Sequence, residues 1–261
     1  MSSAIAIQSV VPIREKADET SEMVSQLLFG ETIKILSLEE KWAEIESSDN
    51  YRGWVDRKML FENEISSNIE PNCSWIISSP IAVIQRTGID GVQYLSMGSL
   101  FHEYDDETEM FRMGNMTGRL ISGSVIKSQW SCVAQLLATA RHWLNVPYLW
   151  GGRNIMGVDC SGFIQIIFRI NGIELPRDAK DQALAGRCLD TNEEILPGDL
   201  AFFSNAMEKI VHVGMIIASD RIIHCSGSVR IDILDKKGIY REDIGDYTHK
   251  LHSVVRMIDR L

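Results

Sequence analysis

The sequence predicts an α+β architecture, with an all-β first half and a second half in which helices precede strands. Three observations carry this. Thr32 to Leu36 and Lys41 to Glu46 alternate apolar and polar residues with period two, and turn residues such as Asp49-Asn50 recur at short intervals. That is the pattern of short, half-buried strands. From Ser128 the period changes, and Val133, Leu136, Leu137, Ala140 and Leu144 fall at helical spacing. After Pro197-Gly198 the β pattern returns in Asp199 to Ser204, Val211 to Ala218 and Arg221 to Cys225. Helices first and strands afterwards imply an antiparallel sheet.

At roughly 100–200 residues per domain, a chain of 261 residues holds two domains or three small ones. The first half contains a weak internal repeat. Val10 to Ile13 has a counterpart in Ser79 to Val83, and Leu27 to Glu31 has one in Leu95 to Ser99, which sets Gly30 and Gly98 68 residues apart (98 − 30). Two small β-barrels over 1–62 and 63–126 fit this length. Trp42 and Trp54 are expected in the barrel core, and the acidic run Glu103 to Glu107 as a solvated loop. In the second half, 127–261, one helix is expected from an N-cap at Ser128 to Leu144, and a second from Asp159 or Cys160 to Ile170. Gly172 stops the second helix.

Lys and Arg number 26 against 36 Asp and Glu, a net charge of −10. This balance excludes nonspecific nucleic-acid binding, which needs cations against phosphate. No run reaches the roughly 18 apolar residues that span a bilayer, so no membrane partner is expected. The N-terminus, MSSAIAIQSVVPIREK, has no Lys or Arg before Arg14, and Gln8, Ser9 and Pro12 interrupt its apolar residues. It lacks the pattern of a secretory leader and is read as a cytoplasmic start. The five cysteines, Cys73, Cys132, Cys160, Cys188 and Cys225, are widely spaced with no CxxC pair. A disulfide framework is not expected.

Cys160 stands where a helix begins. Unsatisfied backbone N–H groups and the positive end of the helix dipole meet there, and both favour a thiolate nucleophile. His212 opens one strand and His224 ends the next, 12 residues on. A hairpin of that length can set them side by side, one as base and the other as its orienter. A zinc site from Cys160, His212 and His224 is the alternative, although no local ligand pair anchors it. His102, His142, His249 and His252 are read as packing histidines, and Arg177 as an ion-pair partner.

The stretch 129–258 carries PYLWGG, DCSGF, LPRDAKDQ, LPGDLAFF, HVGM and IIHCSG in order. It resembles the NlpC-type cysteine peptidases of peptidoglycan metabolism. The resemblance implies a papain-like C-terminal peptidase domain. It makes Cys160 the nucleophile, His212 the base, His224 the third polar residue and Tyr148 an oxyanion donor. No metal or organic cofactor is implied. SEMVSQLLFGE and YRGWV in the first half resemble bacterial SH3-like modules, so two small all-β SH3-like barrels are expected before the peptidase domain. The combination is similar to cytoplasmic dipeptidyl-peptidases that recycle murein peptides. These release L-Ala-γ-D-Glu by cutting the γ-D-Glu–diamino acid bond of peptides with a free N-terminal L-Ala. That group implies a murein peptide as partner. It also implies that Asp159 and Ser161 hold the substrate's ammonium and backbone, while Glu22 and Tyr51 of the first β-module close the same end. Ala179 departs from the small hydroxyl residue that relatives often carry, which leaves one substrate hydrogen bond missing or supplied by Asp178. Two further functions remain open at this point: a non-catalytic wall-binding protein, and an acyltransferase or amidase on the same fold.

Overall fold

The computed structural model describes residues 2–63, 75–190 and 192–258. Cys73 and the stretch after the expected boundary at residue 62 lie outside the described residues. The chain divides into two compact units, Met1–Trp130 with Trp150–Ile155, and Ser131–Leu149 with Met156–Leu261.

The first unit is built from strands. β1 (Ser3–Ala6), β2 (Val10–Arg14), β3 (Met23–Leu28), β4 (Thr32–Leu38), β5 (Trp42–Ser47), β6 (Arg52–Asp56) and β7 (Leu60–Asn63) form an antiparallel sheet ordered β3-β2-β6-β5-β4-β1-β7. The alternation read in the sequence becomes burial: Ile33, Ile35, Ala43 and Ile45 point into one core with Val11, Ile13, Leu27 and Val55. Trp42 joins the buried side, but Trp54 is only half-buried between buried Gly53 and Val55. The expectation of two core tryptophans is corrected by the pleat, which turns alternate residues of β6 outward.

β8 (Trp75–Ile77), β9 (Ile81–Arg86), β10 (Gln93–Ser96), β11 (Leu100–Phe101), β12 (Glu103–Asp105), β13 (Met110–Met113), β14 (Met116–Ser122) and β15 (Val125–Lys127) follow. They pair as β10-β9-β14-β13-β12 and β11-β8-β15. Phe29 reaches from the end of β3 into their core and meets Phe101 and Phe111 edge-on, at 6.4 and 6.1 Å between ring centroids. The next residue must be glycine. Gly30 has φ +87°, and a Cβ there would lie 2.1 Å from the Leu100 carbonyl oxygen. The acidic run is largely exposed, as expected, and Asp106 and Glu107 lie in a turn, but its first three residues form a strand. Glu103–Asp105 pairs with Met110–Arg112, because Tyr104 stacks on Phe101 at 5.6 Å and holds the segment in the sheet.

Residues 150–155 belong to this unit through a buried cluster. Arg153 donates from both guanidinium ends to Glu31, at 3.0 Å each, and from Nη1 to the Gln26 carbonyl at 2.6 Å. Asn154 Nδ2 reaches Gln26 Oε1 at 2.8 Å.

The first unit also holds the short strand β16 (Arg153–Asn154); the second unit holds α1 (Val133–Arg141), the short strand β17 (Gly157–Val158), α2 (Cys160–Ile170) and α3 (Ala179–Gln182). Strands β18 (Arg187–Cys188), β19 (Leu200–Ser204), β20 (Ile210–Ala218), β21 (Arg221–Ser226), β22 (Ser228–Leu234), β23 (Gly238–Arg241) and β24 (Asp246–Arg256) complete it. The sheet runs β18-β24-β19-β20-β21-β22-β23, and β23 pairs again with β24, so β19 to β24 close on themselves. α2 packs on β20 and β21. Every α2 residue is buried, with Phe163, Ile164, Ile166, Ile167 and Phe168 fully so. At about 1.5–3 kcal/mol for each such side chain, this helix anchors the unit. α1 starts at Val133, not near Ser128. Lys127 is still in register with Trp75, and Cys132 remains extended at φ −163°. The apolar spacing set the phase of the helix but not its first residue.

Candidate active site

Asp159 starts α2. Its backbone is extended, and its Oδ1 accepts the Gly162 N–H at 2.7 Å, a side-chain N-cap. The same carboxylate is gripped by Arg177, with Nη1 3.1 Å from Oδ1 and Nη2 2.5 Å from Oδ2. Arg177 Nη1 also donates to Ser161 Oγ at 2.9 Å. All three residues are buried. The expected ion pair of Arg177 is therefore with Asp159, and its fork brings together the two residues that flank Cys160.

Cys160 is buried, and the backbone N–H groups of Val213 and Ser161 point at its sulfur. Burial first, and then the Asp159 charge, push its thiol up to about 12. Burial therefore works against the thiolate expected from the helix start. A rise from 9.0 to about 12 opposes ionisation by about 4 kcal/mol, whereas a helix terminus supplies about 2 kcal/mol at most. These surroundings favour the neutral thiol of Cys160.

Two strands present the histidines on one face. Gly214 of β20 pairs with His224 of β21, so His212 lies two residues from that partner and points the same way. A Cβ at Gly214 would stand 2.7 Å from His224 Cβ, so glycine gives the second histidine its room. His212 Nε2 and His224 Nδ1 are 2.9 Å apart. This is a hydrogen bond between the rings, not a pair of ligands opened around a zinc ion. His212 is held well below the usual histidine range by burial, then by His224 and His249. Burial also lowers His224, against the opposing pull of Asp232.

Sequence reasoning missed two members of this cluster. Asp232 of β22 takes His224 Nε2 at 2.9 Å. It lies in SVRIDIL, where the alternation of Val229, Ile231 and Ile233 reads Asp232 as outward-facing, so no local signal marks it. His249 stacks on His212 at 4.2 Å between ring centroids, tilted 30°. It is a packing histidine, as expected, but it packs on the candidate base.

Tyr148 is partly exposed; its N–H donates to the Gly227 carbonyl at 2.9 Å. Burial, then the neighbouring Cys160 and Asp159, push its hydroxyl above the usual range, so it stays protonated and able to donate. Cys225 donates to the Val158 carbonyl at 3.2 Å, and burial raises its thiol. Asp178 precedes α3 and makes no side-chain cap; burial raises its carboxyl. Glu22 and Tyr51 belong to the first unit. Glu22 accepts the Trp150 indole N–H at 2.6 Å, and the Tyr51 carbonyl accepts the Ser47 N–H at 2.9 Å.

Residues 145–247 match the NlpC/P60 family, and residues 13–60 match the bacterial dipeptidyl-peptidase Sh3 domain. The Gamma-D-glutamyl-L-lysine dipeptidyl-peptidase of Bacillus subtilis (strain 168) is 30% identical over 77% of this chain and 71% of its own. Dipeptidyl-peptidase 6 of Lysinibacillus sphaericus is 25% identical over 92% of this chain and 95% of its own. The crystal structure of an NlpC/P60 family protein from Bacillus cereus ATCC 10987 shares the fold, with a TM-score of 0.83 at 20% identity over 99% of this chain and 100% of that one. The fold is thus papain-like in the second half, with an SH3 domain in the first. The family match spans the residues that carry Cys160, His212, His224 and Asp232, and on that overlap the chain belongs to the NlpC/P60 family of cysteine peptidases.

Proposed function

We propose that this protein hydrolyses peptidoglycan-derived peptides that begin with a free L-Ala. It cuts the bond between γ-D-Glu and the following diamino acid and releases L-Ala-γ-D-Glu. The observation that carries the chemistry is the buried His212–His224–Asp232 chain across β20, β21 and β22, whose first member stands next to Val213, the residue whose N–H meets the Cys160 sulfur. The substrate reading draws on the names of the two relatives.

The cycle begins from neutral partners. As Cys160 Sγ attacks the γ-carbonyl carbon, its proton passes to a ring nitrogen of His212. The carbonyl oxygen becomes an oxyanion held by the Cys160 N–H and the Tyr148 hydroxyl. Each such donor is worth about 3–4 kcal/mol. The imidazolium of His212 gives its proton to the departing amine, the C–N bond breaks and a thioester remains. Water then attacks the thioester, His212 takes the water's proton, and that proton returns to sulfur as the dipeptide leaves. Asp159 and Ser161, fixed beside Cys160 by Arg177, bind the amine end of the substrate backbone. A demand for a free amine suits peptides already released from the wall. The reading therefore places the enzyme in murein-peptide recycling, in the cytoplasm.

The test compares kcat/KM for L-Ala-γ-D-Glu-L-Lys with that for its N-acetyl derivative. Arg177 still pairs Asp159 when the amine is acetylated, so the loss is that of a charge-assisted hydrogen bond, about 1.5–3 kcal/mol, and the acetylated peptide should be about 10- to 10²-fold poorer. Equal values would contradict a dipeptidyl-peptidase and favour an endopeptidase that accepts wall-linked peptides.

A further inference from the structure

His224 is bonded at both ring nitrogens, and its partners decide which one carries the proton. Nε2 faces Asp232 Oδ2 and Nδ1 faces His212 Nε2, each at 2.9 Å. An ionised carboxylate only accepts, and a neutral imidazole has one N–H. The His224 proton therefore sits on Nε2, and its Nδ1 is a bare lone pair. His212 must donate to that lone pair from Nε2, which leaves Nδ1 of His212 unprotonated.

The surroundings keep Asp232 ionised. Arg230 braces both its oxygens, with Nη2 2.9 Å from Oδ1 and Nε 2.7 Å from Oδ2. Asp243 holds Arg230 at 3.1 Å, and Arg241 Nε holds Asp243 at 3.0 Å. Burial pushes the Asp232 carboxyl up, but the bonds from His224 and Arg230 outweigh it and leave it below the usual range. Burial also keeps both histidines neutral, with His249 stacked on His212.

We propose that Asp232 is a positioning residue that sets the tautomer of His212 through His224 and so keeps Nδ1 of His212 free to act as the base. The inference rests on the reading of Cys160 as nucleophile and His212 as base. Replacing the carboxylate with an amide reverses the chain. In Asp232→Asn the charged Nη2–H of Arg230, which hydrogen-bonds Oδ1 in the parent, keeps the amide oxygen at that place and sets the amide nitrogen toward His224 Nε2. His224 must then accept there and carry its proton on Nδ1, against the N–H of His212. His212 relieves the clash by moving its own proton to Nδ1, and the base is lost.

The experiment uses the full chain labelled with ¹⁵N in its histidine rings. In the parent protein at neutral pH, NMR should find His212 and His224 both protonated on Nε2. In Asp232→Asn both protons should move to Nδ1. With L-Ala-γ-D-Glu-L-Lys as substrate, kcat of Asp232→Asn should fall about 10²- to 10⁴-fold with KM little changed, as expected for a base held in the wrong tautomer. Near-UV circular dichroism checks that the variant is folded. If it is not, the parent spectrum decides alone. A His212 proton on Nδ1 in the parent, or an unchanged kcat in folded Asp232→Asn, would overturn the proposal. The NMR arm needs no turnover, so failure of the peptidase reading and failure of this one are read separately.

Discussion

Arg177 forks onto Asp159, meeting both carboxylate oxygens at 3.1 and 2.5 Å, and both side chains are buried. The pair locks the N-cap of the helix that begins at Cys160. Arg177→Ala leaves a buried carboxylate unpaired and should cost about 3–5 kcal/mol of stability in urea denaturation. Arg177→Lys should recover only part of this, because an ammonium cannot span both oxygens and Ser161 Oγ. A lysine variant as stable as the parent would show that the fork carries no weight.

Cysteine reactivity follows burial. Cys132 is exposed, and its thiol is lowered by the Gln135 backbone N–H and by Ser131. Cys160 is buried and raised to about 12. At neutral pH, iodoacetamide should label Cys132 well before Cys160 in the free protein, as read by peptide mass mapping. Labelling of Cys160 should climb as pH rises toward its thiol. Fastest labelling at Cys160 near neutral pH would mean that a thiolate pre-exists.

The three clustered histidines fix the pH dependence of stability. His212, His224 and His249 are all lowered from 6.5, His249 to about 4 by burial and then by His224. A folded value below the unfolded one means that the unfolded chain takes up protons first as pH falls. The stability these groups contribute is complete above about pH 6.5 and drains away as pH falls toward about 4. Urea midpoints should drop through that window. Hydrolysis should keep its base through weakly acidic pH, with the acid limb of kcat/KM below the ordinary histidine value. A limb at or above about 6.5 would contradict a buried neutral His212.

Gly214 makes a separate prediction. The Cβ of Gly214→Ala would lie 2.7 Å from the Cβ of His224. Relieving that overlap shifts the His224 ring against its bonds to His212 and Asp232. A stability loss of about 1–3 kcal/mol should accompany a larger fall in kcat than in substrate binding. Parent-like turnover would show that the His212–His224 geometry tolerates displacement.

What the sequence disclosed was set by the range of each interaction. Cys160 was legible because its helix start is local: an Asp cap, a small residue and a glycine stand in consecutive order. His212 and His224 were legible because one short hairpin joins them. Asp232 was not, because it depends on the register of β21 against β22, which SVRIDIL alone does not fix. β24 escaped notice because the first half of the strand is largely exposed, so it shows no apolar alternation. The neutral state of Cys160 was hidden for another reason. Helix polarity is read from neighbours in sequence, whereas desolvation comes from the sheet that packs on α2 and outweighs it.

The most direct test of the account is hydrolysis of L-Ala-γ-D-Glu-L-Lys by the parent protein and by Cys160→Ala, with products identified by mass spectrometry. The parent should release L-Ala-γ-D-Glu and lysine. Cys160→Ala removes only a sulfur atom at the start of α2, so it should stay folded and release neither. Release of the same products at the parent rate by folded Cys160→Ala would contradict the cysteine-peptidase account.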